Sequence, residues 1–202
     1  MGAPGRQLLD DSMQAIIICG MPASGKTTVA NVLAKRLSLK VIGGGDILKE
    51  MAAERGYEMT GEDWWDTAQG LKFAHERASN PEFDREADDR LKDRIAQGNV
   101  IVTSLTAPWL SDRGFKVWLN ADPERRAQRM AKRDGTEIEY SRTALSIRET
   151  ENIKLYKRLY EIDFGKDMSP FDMVIDTVGV SPERIADLIM DGLKTKGFTI
   201  KK

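Results

Sequence analysis

A five-residue apolar run, Ala15-Ile16-Ile17-Ile18-Cys19, ends directly on Gly20-Met21-Pro22-Ala23-Ser24-Gly25-Lys26-Thr27. The run is rich in β-branched residues and reads as a strand buried on both faces, as in a parallel sheet. The second segment has the spacing G-x-x-x-x-G-K-[ST]. Beyond it Val29, Val32, Leu33 and Leu37 fall on one face of a helix. Strand, glycine loop and helix in that order make a cradle for phosphate. The glycines let the backbone turn so that successive N–H groups point inward at phosphate oxygens. The helix beginning near Lys26 adds its positive end. Lys26 brings a full charge to the β- and γ-phosphates of a nucleotide such as ATP, and the Thr27 hydroxyl can ligate Mg²⁺. The candidate nucleotide-binding residues are therefore Gly20, Met21, Pro22, Ala23, Ser24, Gly25, Lys26, Thr27 and Thr28.

The rest of the chain repeats the alternation of strand and helix. Apolar segments at 39–42, 99–103, 115–119 and 173–175 predict four more strands. Gly43-Gly44-Gly45 is expected to break the second strand, with Asp46 capping the helix that follows. From 47 to 97 the pattern is helical and mostly polar, with breaks near Gly56, Thr60-Gly61 and Asn80-Pro81, and predicts several short inserted helices. Asp122-Pro123 and Ser181-Pro182 read as helix starts, and Gly135 as a break between two charged helices. Such an order implies a doubly wound α/β domain with a parallel sheet.

Composition fits that expectation. The chain has 202 residues, 41% hydrophobic and 31% charged, which suits one globular α/β domain. A net charge of −1 and no long basic run argue against a nucleic-acid partner. The single cysteine, Cys19, allows no internal disulfide and is expected to be buried and inert. The longest apolar run is far too short to span a membrane, and no signal-peptide core is visible. A cytoplasmic monomer is expected. Residues 1–12 show no periodicity and read as a flexible segment outside the fold.

The order of segments resembles the archaeal-type cytidylate kinases, within the nucleoside monophosphate kinases. The resemblance rests on the early phosphate loop, the helical insertion after strand two and the arginine-rich stretch from Val117 to Gly135. It continues through residues 148–160 and Phe171-Asp172-Met173-Val174-Ile175-Asp176-Thr177, covering about Met13 to Leu193. It implies a P-loop NTPase three-layer sandwich with a five-stranded parallel sheet, an inserted helical monophosphate-binding segment and a helical lid. One domain would span 13–196, with its core at 13–46 and 98–196, the insertion at about 47–97 and the lid at about 126–150. The implied activity moves the γ-phosphoryl group of ATP, with Mg²⁺, onto CMP or dCMP. The implied partners are small nucleotides.

By position, Arg126, Arg129 and Arg133 match the family's lid arginines on one helical stripe. The resemblance implies that Arg129 stacks on adenine, and that Arg133 and Arg148 reach the phosphates. Lys26, Arg129, Arg133 and Arg148 are the candidate catalytic residues. Lys49 stands where the family meets the acceptor phosphate. Asp84, Arg85 and Asp88 match an acidic-arginine pattern that meets base and phosphate, and Asp46 is a candidate partner of Mg²⁺ through water.

The sequence departs from the family at the end of strand three. There Thr103-Ser104-Leu105-Thr106 carries no charge where an acid and an arginine are usual. Thr150 and Leu155 likewise replace bases. These departures keep two other readings open: a kinase with a different nucleotide or small-metabolite acceptor, and a nucleotide-binding regulatory protein with little transfer activity. His75 is expected at the surface or in packing, Trp64-Trp65 in packing the insertion, and Trp118 in the core.

Overall fold

The computed structural model describes residues 15–59, 64, 67–80 and 82–198. Five strands form one sheet: β1 (Ala15–Cys19), β2 (Lys40–Gly43), β3 (Val100–Thr103), β4 (Phe115–Asn120) and β5 (Met173–Asp176). All pairings are parallel and the order is β2-β3-β1-β4-β5. The chain therefore reverses its direction of winding at β1. Open parallel sheets bind ligands at such a switch point, beyond the carboxyl ends of the strands.

Alternation along β1 explains the layers. Ala15 and Ile17 face one core with Val100 and Val102 of β3, while Ile16 and Ile18 face another with Ile101. Helices α1 (Lys26–Leu37) and α8 (Pro182–Thr195) cover the second face through Val29, Leu33, Ile185 and Ile189. The first face is covered by α2 (Gly44–Glu54), α3 (Ala68–Ser79) and α4 (Glu82–Gln97). Their Ile47, Met51, Phe73, Phe83, Leu91 and Ile95 join the strand residues in one cluster. The inserted helices thus complete the central fold. Trp64 is buried beside Phe73, Trp118 is 3% exposed, and His75 is exposed. Trp65 and residues 1–12 lie outside the described residues, as do Thr60, Gly61 and Pro81.

A short helix α5 (Ala107–Leu110) follows β3, and two longer ones follow β4: α6 (Pro123–Asp134) and α7 (Ile138–Tyr160). Asp122 caps α6 by accepting from the Arg125 N–H at 2.8 Å, and Gly135 ends it with φ 66°. Ser181 caps α8 in the same way as Asp122 caps α6. The three glycines at 43–45 do not form a loop, since Gly43 ends β2. Gly44 and Gly45 are the first residues of α2, and Asp46 caps it from inside, accepting from the Gly43 N–H at 2.8 Å. Among the described residues no helix is long and apolar enough to cross a membrane.

Candidate active site

The loop from Gly20 to Gly25 leaves the carboxyl end of β1 and turns into the N-terminus of α1. Three residues take positive φ there: Gly20 at 148°, Ala23 at 62° and Gly25 at 100°. At Gly20 a side chain has no space. A Cβ would stand 2.4 Å from the Leu119 carbonyl oxygen and 2.7 Å from Ser24 Oγ. Gly20→Ala is therefore expected to force the loop off β4, lowering stability by about 1–3 kcal/mol. ATP binding is expected to weaken with it, and a thermal melt with and without ATP checks both effects.

Lys26 folds back over the loop, and its Nζ donates to the carbonyls of Gly20 at 2.8 Å and Met21 at 2.9 Å. An ammonium has three N–H bonds, so one remains for a phosphate oxygen. Burial, with the charges of Arg148 and Arg126, pulls the Lys26 ammonium down to about 8. A neutral amine offers phosphate no charge. ATP affinity is expected to be flat on the acid side of that value and to fall as pH rises through about 8, approaching tenfold per pH unit. Calorimetric titration across that range checks it. For the ligand-free fold the sign is opposite. The depressed lysine costs stability while charged, so this contribution rises between about 8 and the ordinary lysine value.

The loop also fits a phosphate in other ways. Ser24 Oγ is buried with no hydrogen-bond partner among the described residues. Thr27 and Thr28 are exposed in the first turn of α1. Among the described residues no cluster of three acidic, histidine or cysteine side chains could hold a metal alone. A Mg²⁺ here would therefore rest on Thr27 and on phosphate oxygens. Cys19 is buried beneath the loop, its Sγ donating to the Leu105 carbonyl at 3.6 Å, and burial pushes its thiol up to about 12. It is inert at neutral pH.

The three arginines of the predicted stripe have three different fates. Arg126 is 3% exposed and ion-paired with Glu149 of α7. Its Nε also donates to the Ala121 carbonyl at 3.0 Å, and its NH1 to the Pro22 carbonyl at 3.4 Å. It is a strut joining α6, α7 and the loop. Arg129 donates to the Ser24 carbonyl at 3.2 Å and to the Thr177 hydroxyl and carbonyl at 2.9 and 2.8 Å, so its plane is fixed beside the loop. Arg133 is exposed and paired with Asp134 at 2.5 Å. Arg148 of α7 is exposed, and its charge is felt by Lys26.

The acceptor-side candidates also separate. Asp46 serves as the α2 cap, and Lys49 is half-buried one turn on with no ion pair among the described residues. Asp84 accepts from Arg77 Nε at 3.2 Å and NH2 at 2.5 Å. Arg85 lies on the surface beside Glu82 at 3.4 Å. Asp88 points inward, accepting from the Thr106 hydroxyl at 2.5 Å and the Tyr160 hydroxyl at 2.6 Å. Burial raises the Asp88 carboxyl despite those two bonds. Its network ties α4 to the turn after β3 and to the end of α7.

Asp84 alone of the three faces a cavity of about 410 Å³ between α3, α4 and α7, lined among others by Arg77, Asn152, Lys154, Leu155 and Arg158. None of Arg77, Asn152, Lys154 or Arg158 stood out in the sequence. The i, i+4, i+7 spacing of 151, 155 and 158 on α7 is the signal that marks this face. Leu105, in the uncharged turn, and Leu155, which stands where a base is usual, pack against one aromatic cluster built on Trp118, Tyr156 and Phe164. The uncharged turn after β3 is thus part of a core that backs the cavity.

Comparison with known proteins places this architecture. The model of an AAA domain matches residues 16–154. A cytidylate kinase of Archaeoglobus fulgidus is 33% identical over 187 residues, covering 92% of this chain and 97% of that protein. One of Pyrococcus abyssi is 34% identical, covering 86% and 90%. Among solved structures, a shikimate kinase from Acinetobacter baumannii in complex with shikimate superposes with a TM-score of 0.55 at 19% identity. It covers 94% of this chain and 97% of its own, and at that identity the likeness shows the P-loop kinase fold alone. With this sheet order, phosphate loop and full-length similarity, the chain belongs to the cytidylate kinase family.

Proposed function

We propose that the chain is an ATP- and Mg²⁺-dependent nucleoside monophosphate kinase acting on CMP or dCMP and releasing ADP with CDP or dCDP. One observation carries the reading: besides the phosphate loop there is a separate cavity lined by Arg77 and Lys154, paired with Asp84 and Glu151, and by Arg158, which has no ion pair among the described residues. Two anionic substrates require such a division, one cradle for the donor and one recess for the acceptor, where Arg158 offers an uncommitted cation.

In this reading the loop amides and Lys26 hold the ATP phosphates and stabilise charge as it spreads over the transferring oxygens. Thr27 holds the metal, with Asp46 joining through water. Mg²⁺ supplies charge neutralisation on the phosphates when bound. Arg129, whose guanidinium is already fixed against Ser24 and Thr177, offers its face to the adenine. Arg148 and Arg133 reach the phosphates when the segment at 126–150 closes as a lid over 13–46 and 98–196. Lys49 meets the acceptor phosphate, with Arg158 and Lys154 in place of the bases absent at Thr150 and Leu155. Closure excludes water, which otherwise makes the site an ATPase.

A coupled assay of ADP release across the four common nucleoside monophosphates and a set of small hydroxylated acids tests the proposal. CMP or dCMP is expected to give the highest kcat/KM. The packing of Leu105 and Leu155 favours a second reading, a metabolite acceptor without a phosphate of its own. Turnover confined to such acceptors would replace the first reading with the second.

A further inference from the structure

Both carboxylate oxygens of Asp88 meet hydroxyls from other elements. Thr106, in the turn after β3, donates to Oδ1 at 2.5 Å, and Tyr160, the last residue of α7, donates to Oδ2 at 2.6 Å. Behind Thr106 the network continues. Ser104 Oγ stands 3.3 Å from Thr106 Oγ1 and accepts from the N–H groups of Thr106 at 3.2 Å and Ala107 at 3.1 Å. The Thr106 proton is committed to Asp88, so the Ser104 hydroxyl donates to Thr106. Ser104 and Thr106 are 6% and 3% exposed, so these bonds are made away from water. The same turn is tied to the end of β1, where the phosphate loop begins. The Ser104 N–H donates to the Ile18 carbonyl at 3.3 Å, and Cys19 Sγ donates to the Leu105 carbonyl at 3.6 Å.

The far ends of the network lie on two walls of the cavity between α3, α4 and α7. Asp84, which lines the cavity, is one helical turn before Asp88 on α4. Lys154, Leu155 and Arg158, which also line it, precede Tyr160 on α7. A buried polar network with its members satisfied rigidifies the elements it joins. Burial pushes the Asp88 carboxyl up, so keeping it ionised there works against stability. An apolar contact between α4 and α7 would avoid that cost; what the carboxylate adds is a fixed geometry.

We propose that Asp88 is a positioning residue for phosphoryl transfer, joining α4 and α7 to the turn after β3 so that the cavity stands at one fixed distance from the phosphate loop. On the reading that this cavity receives the acceptor, the network sets the line between the acceptor oxygen and the γ-phosphate of ATP without touching either substrate. Transfer is sensitive to such placement, and an error of about 1 Å made far from the reacting atoms can cost about 100-fold. A displaced acceptor also leaves room for water at the γ-phosphate, which then leaves ATP as inorganic phosphate.

The test measures CDP and inorganic phosphate separately in one reaction of ATP, Mg²⁺ and CMP. It compares the wild-type chain with Tyr160→Phe, Asp88→Ala and the double variant. Tyr160→Phe deletes one hydroxyl and keeps the ring, so it decides the matter even where Asp88→Ala fails to fold. The kcat for CDP is expected to fall by about 10–100-fold in Asp88→Ala and about 3–10-fold in Tyr160→Phe, with the KM for ATP unchanged. The phosphate formed per CDP is expected to rise in both. Because the two residues act through one bond, the double variant is expected to lie within about threefold of Asp88→Ala. Losses that multiply in the double variant overturn the inference. So does a Tyr160→Phe chain with wild-type kcat and coupling beside an Asp88→Ala chain that only raises the KM for CMP, since Asp88 would then touch the acceptor itself. A lowered Tm with kcat and the phosphate-to-CDP ratio unchanged reduces the network to a structural one and overturns it as well. In these three cases the kinase reading stands. A wild-type chain that phosphorylates no nucleoside monophosphate overturns that reading and the inference with it.

Discussion

Replacing Lys26 with methionine is expected to cut phosphoryl transfer by about 10²–10³-fold or more while leaving the fold intact. Removing a single preorganised donor from a transition-state oxyanion has that scale of effect, and Lys26 contributes a full charge as well. Its ammonium is held over the loop by the Gly20 and Met21 carbonyls, so little reorganisation is needed to meet a phosphate. The same burial that lowers its pKa to about 8 makes the charge a cost to the ligand-free fold. The variant is therefore expected to melt no lower than the wild-type chain without ligand, and to lose the rise in Tm that ATP gives. Single-turnover kinetics and paired melts measure the two effects. A variant within threefold of wild-type kcat would contradict the role of Lys26.

The second large effect is on stability. Arg126→Ala removes a guanidinium that is 3% exposed, ion-paired with Glu149 and bonded to the Ala121 and Pro22 carbonyls. The variant leaves Glu149, on a side chain 20% exposed, facing a cavity without its counter-charge. Breaking one side of a buried pair costs about 3–5 kcal/mol. For a chain of this size that corresponds to a fall in Tm of about 10 °C. Arg126→Lys is expected to recover only part of it, because one ammonium cannot span the carboxylate and both carbonyls. Chemical denaturation of the three forms measures the difference. An Arg126→Ala variant that loses ATP turnover at unchanged stability would instead place Arg126 among the groups that touch phosphate.

Arg126 also marks the limit of what the sequence makes legible. The spacing of Arg126, Arg129 and Arg133 correctly puts them on one side of α6, because helical period is a local property. Their environments are not local. Glu149, the carbonyls of Pro22 and Ala121, and Thr177 come from other elements, and each arginine meets a different set. The same division runs through the fold. All five strands and the loop at 20–27 were legible, since buried strands and glycine loops announce themselves by composition. The start of α2 was not, because glycine usually ends regular structure. Here the Asp46 carboxylate, three residues inside, makes a helix of Gly44 and Gly45 by capping the N–H of Gly43.

The acceptor side was the least legible. Asp88 reads as a substrate carboxylate in sequence, yet two hydroxyls 18 and 72 residues away hold it. The uncharged turn from Thr103 to Thr106 looks like a loss from the family pattern. In the fold Leu105 and Leu155 both pack against the cluster of Trp118, Tyr156 and Phe164, so they belong to one apolar unit.

The central claim is transfer of a phosphoryl group from ATP to the phosphate of CMP. Following the ³¹P spectrum of ATP, Mg²⁺ and CMP with this chain tests it most directly. The account predicts loss of the CMP monoester signal and growth of the two diphosphate signals of CDP, in step with ADP. A CMP signal that stays constant while ATP is hydrolysed would contradict it.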